Sequence, residues 1–280
     1  MHEHAAPAAS ALPWLATAPL VLAGLVYLAA ASAERRRGTR AWPVHRTPCW
    51  TLGLVVAASA FLGPLAERAH DDFVAHMAAH TLIGMVAPAL LVLGAPVTLA
   101  LRTLDPVVAR RLTRLLRSWP VRIISHPVSA ALLNVGSLWV LYLTPLHEAM
   151  IGNALLHYAV LVHFLLAGTL FAASILAIDP NPHKASRPVR AGVLLLSTAA
   201  HATLAKVLYA SPPAGIPLDE ARAGAQLMYY AGDAAELALI VLFCLGWYRA
   251  AAPFPTQERA QVIARSGLRR TLLSYESRAP

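Results

Sequence analysis

Long apolar runs separated by short polar connections set the pattern of this chain. Seven such segments stand at about residues 14–33, 49–68, 74–101, 127–146, 154–178, 190–210 and 225–248. Each reaches the roughly 20 helical residues that cross a hydrocarbon core. None shows the period-two alternation of a membrane barrel strand. The pattern predicts an all-α fold, a polytopic membrane helix bundle of about seven transmembrane helices. The third segment is the longest and carries Pro88 and Pro96, which predicts a kink or a tilt there. No internal repeat interrupts the series. Residues 1–252 read as one transmembrane domain and residues 253–280 as a basic cytoplasmic tail.

Charge orients this bundle. Arg35, Arg36, Arg37, Arg40 and Arg46 fall in the first connection, and Arg102, Arg110, Arg111, Arg114, Arg117 and Arg122 in the third. Lys184, Arg187 and Arg190 fall in the fifth, and Arg249, Arg259, Arg265, Arg269, Arg270 and Arg278 in the tail. Only Arg68, Lys206 and Arg222 lie elsewhere. Basic residues mark the cytoplasmic side of short loops, so the N-terminus is expected outside and the C-terminus in the cytoplasm of a plasma (inner) membrane. The first apolar run precedes its arginines, the reverse of a cleaved secretory signal, and reads as a retained helix.

Composition narrows the function classes. The chain is 58% hydrophobic and 13% charged over 280 residues, well below the roughly 25% charge of soluble domains. A net charge of +9 invites a nucleic-acid reading, but the arginines occupy topological positions and no aromatic-rich basic motif accompanies them. No nucleophile–base pattern, nucleotide loop or extramembrane domain suggests an enzyme. Cys49 and Cys244 form no CxxC pair, and both are expected near the cytoplasmic ends of their spans, where a disulfide is disfavoured.

The histidines divide opposite to the arginines. Of the 12, His2, His4, His70, His76, His80, His147 and His157 fall outside or in the outer ends of spans. His45, His126 and His183 fall on the inner side. His163 lies about two turns deeper than His157, and His201 near the middle of the sixth span. Intramembrane ionisable groups usually face the bundle interior or a cavity. The run from Asp71 to His80 is the sharpest constellation. His76 and His80 are four residues apart and share one helix face, Asp72 extends that face by a turn, and Met77 borders it. Imidazole with thioether suits cuprous copper, and Asp72 fits a partner fixing an imidazole tautomer. The same text also fits a polar helix start with two solvated histidines. His157 and His163, six residues apart, lie about 120° from each other around their helix and face different neighbours. Asp233 and Glu236, three residues apart in the seventh span, need a partner in lipid, and Lys206 is the candidate for an ion pair.

Taken together, these residues resemble the multispan CtaG family of cytochrome c oxidase assembly factors. The similarity runs through His76-Met77-Ala78-Ala79-His80 into Ala87-Pro88-Ala89-Leu90-Leu91-Val92-Leu93-Gly94-Ala95-Pro96. It continues in Ser125-His126-Pro127, His157, His163-Phe164-Leu165-Leu166-Ala167-Gly168, Ile178-Asp179-Pro180, His201 and Met228 through Asp233. It covers roughly residues 50–250. The resemblance implies a role in maturing haem–copper oxidases by delivering copper, with His76, Met77, His80, His157, His163 and His201 as candidate metal ligands. Oxidase subunits or another copper chaperone are the implied partners, alongside the lipid bilayer. Where many members carry a histidine four residues after His157, this chain has Leu161. Two other readings remain open. A haem-binding protein would use His163 and His201 as axial ligands, and a proton or metal transporter would use Asp233, Glu236 and Lys206 as a relay.

Overall fold

The structure, a computed structural model, describes residues 7–37 and 41–251. His2, His4, Arg40 and the basic tail from residue 253 lie outside them. The described residues are helical with no strand. Helix α1 is Pro7–Arg37 and α2 is Arg46–Ser59, continued by the short α3, Pro64–Arg68. The third span is a chain of pieces: α4 (Phe73–Thr81), a π-helical segment (Leu82–Val86), α5 (Ala87–Leu93) and α6 (Pro96–Thr103). A polar connection follows with α7 (Pro106–Leu116) and α8 (Trp119–Ile124). The next apolar stretch comprises α9 (Pro127–Ala131), a second π-helical segment (Leu132–Gly136) and α10 (Ser137–Leu143). Helix α11 (Leu146–Ile151) leads into α12 (Ala154–Leu176), α13 (Arg187–Ala210) and α14 (Leu218–Ala251). The residues through Phe243 form one compact unit, and the described residues beyond it are the last turns of α14.

Six helices among the described residues are long and apolar enough to cross a membrane: Ala11–Arg37, Arg46–Arg68, Phe73–Thr103, Ala154–Leu176, Arg187–Ala210 and Leu218–Ala251. The fourth predicted segment forms the shorter apolar helix Pro127–Leu143. The kink expected in the third span takes two forms. Pro88 has no N–H to donate, and the π turn just before it widens the helix there. Pro96 starts a new helix after Ala95, which is left-handed with φ 50°, so the chain bends rather than continues. Asp179 secures that bend. Its carboxylate accepts from Val97 N at 3.2 Å, Thr98 N at 2.7 Å and Thr98 Oγ1 at 2.6 Å, capping α6 from across the fold.

Small residues let the spans approach closely, as lipid-embedded helices require. A Cβ on Gly168 of α12 would overlap the Gly84 carbonyl and come within 2.8 Å of Pro88 Cγ. A Cβ on Gly53 of α2 would lie 3.0 Å from the Leu91 backbone nitrogen. The arginine-rich end is bound together in its own way. Arg102 pairs with Glu34 at 3.5 Å, and the guanidinium groups of Arg46 and Arg102 lie over Trp42 at 4.6 and 5.4 Å. Helix α7 buries no residue. It shows Val107 and Leu115 to the outside, together with Arg110, Arg111 and Arg114.

Candidate functional site

At the end of the bundle opposite these arginines, three connections meet: α3 to α4, α10 to α12, and α13 to α14. Asp72 starts α4 by accepting from Val74 N at 2.7 Å and Ala75 N at 3.2 Å. Its carboxylate therefore works as an N-cap. Glu220, at the start of α14, accepts from Phe73 N and ties the last span to the same turn. Between them opens a cavity of about 190 Å³, with His70, Asp72, His76, His147 and Glu220 in its wall.

The imidazoles here are aligned by aromatic contacts and by backbone. His70 Nδ1 lies 2.7 Å from Ala66 O, so this nitrogen carries a proton and donates to the carbonyl. The His70 ring stacks on His157 at 5.0 Å between centroids. His76 meets His147 edge-on at 5.5 Å. His76 Nε2 stands 3.1 Å from the Tyr142 hydroxyl, which in turn donates to Met77 Sδ at 3.6 Å. Burial holds the His147 imidazole below its ordinary pKa, with Glu148 pulling the other way. A neutral imidazole is the form that ligates a metal.

Two enclosed spaces lie deeper. The first, about 20 Å³, is lined by His76, His80, His157, Met150 and Phe164 among others. The second, about 30 Å³, is lined by His80, Met85, Asn134, Gly168, His201 and Glu236 among others. Each holds at least one water-sized body, which needs about 10–15 Å³. The cavities share walls: His76 lines the mouth and the first space, and His80 lines the first space and the second. The result is a series of neighbouring cavities from the end of the bundle to its interior, with an imidazole in each shared wall.

Glu236 finds its partner in His201, with Oε1 3.6 Å from Nδ1. Lys206, the partner expected from sequence, instead places its ammonium 5.3 Å from the centre of the Tyr229 ring. Asp233 is half-buried one turn before Glu236. His163 lines none of these cavities. It is exposed, and its Nε2 contacts Leu133 O at 3.0 Å and Ser137 Oγ at 3.1 Å. It thus serves a carbonyl of the second π segment, where the wider turn interrupts ordinary helix bonding. Met77 is fully buried, and its sulfur is turned to Tyr142 rather than to a cavity. Met85 and Met150 are among the residues that line the enclosed spaces. Among the described residues, no three His, Cys, Asp or Glu side chains already converge as metal ligands on one point.

The sequence reading of the site did not single out His70, Met85, Asn134, Tyr142, His147, Met150 or Glu220. His70 and His147 carried a signal, since both fall at the histidine-rich end. Met85 and Asn134 carried none, because each reaches its cavity from a π-helical segment whose register departs from the 3.6-residue period.

A polytopic all-α membrane protein with histidine-lined cavities at one end is the class these features define. The cytochrome c oxidase caa3 assembly factor (CtaG) family matches residues 25–250, and the chain belongs to that family. Relatives include an uncharacterised protein of Mycobacterium bovis, 40% identical over 191 residues, which make up 65% of this chain and 28% of that protein. An uncharacterised protein of Mycobacterium leprae is 37% identical over 194 residues, 66% of this chain and 29% of its own length. The chain thus spans less than a third of the length of these relatives. No solved structure matches it.

Proposed function

We propose that this member of the oxidase assembly family carries copper as cargo in the cuprous state, taking it up at the histidine-lined mouth and passing it on for oxidase maturation. The observation that carries this reading is the series of neighbouring cavities, in which His76 and His80 each line two. A carrier must hold its ion firmly enough to exclude free metal and loosely enough to release it. Imidazoles spaced along a path, without a closed four-thiolate cage, meet both demands. Thioether sulfur at Met150 and Met85 adds preference for the softer cuprous ion. The charge pattern of the connections supports a mouth that faces the outside of the cell membrane. Partners in this reading are oxidase subunits or a second copper carrier that docks at the mouth.

The haem alternative lacks room. His201 faces a space of about 30 Å³, far below a macrocycle, and the second proposed ligand, His163, is engaged with Leu133 and Ser137. The relay of Lys206 with Asp233 and Glu236 is also disfavoured, since Lys206 faces a groove with Tyr209 and Tyr229.

Deletion of the gene tests the assembly role. Oxidase activity and oxidase copper content should fall and recover in part when copper is supplied in excess. Complementation with His76→Ala should fail at low copper, where the wild-type gene succeeds. Normal oxidase in the deletion strain refutes the reading.

A further inference from the structure

The innermost space has more polar atoms than partners for them. His80 Nε2, both ring nitrogens of His201 and Glu236 Oε2 are buried without a hydrogen bond. The three residues are 5%, 1% and 6% exposed, so outside water does not serve them. Buried polar groups are almost always paired, and a cluster of orphans around one cavity marks an occupant.

The walls show that the space is built rather than left over. Both π-helical segments contribute to it, Gly84 and Met85 from one and Asn134 and Val135 from the other. Such segments recur at functional sites because they break helix register and re-aim side chains. Gly232 is required beside it, since a Cβ there would overlap Cε1 of His201. Gly168 is required on the opposite wall, against the Gly84 carbonyl.

Charge selects the occupant. A carboxylate inside an apolar bundle is costly unless a positive charge accompanies it. Lys206 stands over Tyr229, and the imidazole that faces Glu236, His201, has Nδ1 3.6 Å from Oε1 and carries charge only when protonated; as a neutral ligand it leaves the carboxylate unbalanced. Water would fill hydrogen bonds but leave the charge unbalanced. A single monovalent soft cation satisfies both demands, with two imidazoles as ligands, the Met85 thioether beside them and Glu236 as counter-charge.

We propose that this chamber is a second, inner cuprous station, formed by His80, His201 and Glu236 and loaded from the mouth through His80. The proposal rests on the copper-carrier reading and extends it, because a second station retains an ion while the mouth exchanges with partners.

The test is anaerobic titration of the full chain in detergent with cuprous ion against a chromogenic chelator. Wild-type protein should take up roughly two equivalents. Glu236→Gln keeps the shape of the side chain and removes its charge. It should weaken one equivalent by about 10- to 100-fold and leave the other intact, with unchanged thermal unfolding and elution. His147→Ala should do the converse, weakening the equivalent that Glu236→Gln spares. If Glu236→Gln and His201→Gln both bind copper as wild type does, the chamber holds water only and the inner station is overturned. If wild-type protein binds no cuprous ion, the carrier reading falls and takes this proposal with it. A single equivalent lost in Glu236→Gln but kept in His147→Ala would support the inner station and overturn the mouth as a binding site.

Discussion

At the mouth, His70, His76 and His147 face an open cavity of about 190 Å³ with Asp72 and Glu220 on its rim. Inside, His201 and Glu236 face about 30 Å³ closed by two π-helical segments and two obligatory glycines. The donors are alike, but their surroundings differ. Mouth imidazoles are held by stacked and edge-on rings, by Tyr142 and by a backbone carbonyl, and they line the larger cavity. His80 Nε2 and both ring nitrogens of His201 have no hydrogen bond, and the two side chains are buried, with His201 Nδ1 3.6 Å from Glu236 Oε1. Openness favours transfer, and enclosure raises the strength of every electrostatic contact by excluding water. In the carrier reading proposed above, this difference gives one histidine-rich sequence a fast site and a retentive one.

The largest effect on this comparison should come from Gly168→Ala. The added methyl group overlaps the Gly84 carbonyl and approaches Pro88, so it forces α12 away from the first π segment and spoils the inner wall. Overpacking of this kind costs about 1–3 kcal/mol, and a backbone collision belongs at the upper end. Thermal unfolding in detergent should show the loss directly, whereas an unchanged midpoint would mean that the closed chamber is not tightly packed.

His80→Ala comes next. This imidazole lines both enclosed spaces, so its removal should lower cuprous affinity about tenfold at the inner station and also slow filling from the mouth. His76→Ala should affect the mouth alone. Equal effects of the two changes on the inner equivalent would dissolve the distinction between the sites.

The smallest effect on copper should follow His163→Ala. Its Nε2 serves Leu133 O and Ser137 Oγ, so the change should cost about 1 kcal/mol of stability and leave both affinities as they were. A copper loss matching that of His80→Ala would place His163 on the path after all.

Much of this was legible along the chain. Apolar runs long enough for lipid read as helices because hydrocarbon offers the backbone no other way to satisfy its polar groups. Every predicted segment is helical, including the fourth, which is interrupted by a π turn. His76 and His80 were legible as a pair because four residues bring side chains to one face, and the structure places both in cavity walls. His157 and His201 also line these cavities. Met77, Lys206 and Asp72 make contacts that their expected roles did not include. Tyr142 captures the Met77 sulfur, Tyr229 receives the Lys206 ammonium, and the free N–H groups of α4 claim the Asp72 carboxylate.

Sequence alone determined the helical class, the segregation of imidazole from guanidinium along the chain, and the family. Those properties follow from local composition and from periods within single helices. Tertiary structure decided which imidazoles share a cavity, that Glu236 pairs with His201, and that Met85 and Asn134 face the interior. Such pairings depend on how separate helices approach and on where π turns shift their register, and neither is written in the spacing of any one segment.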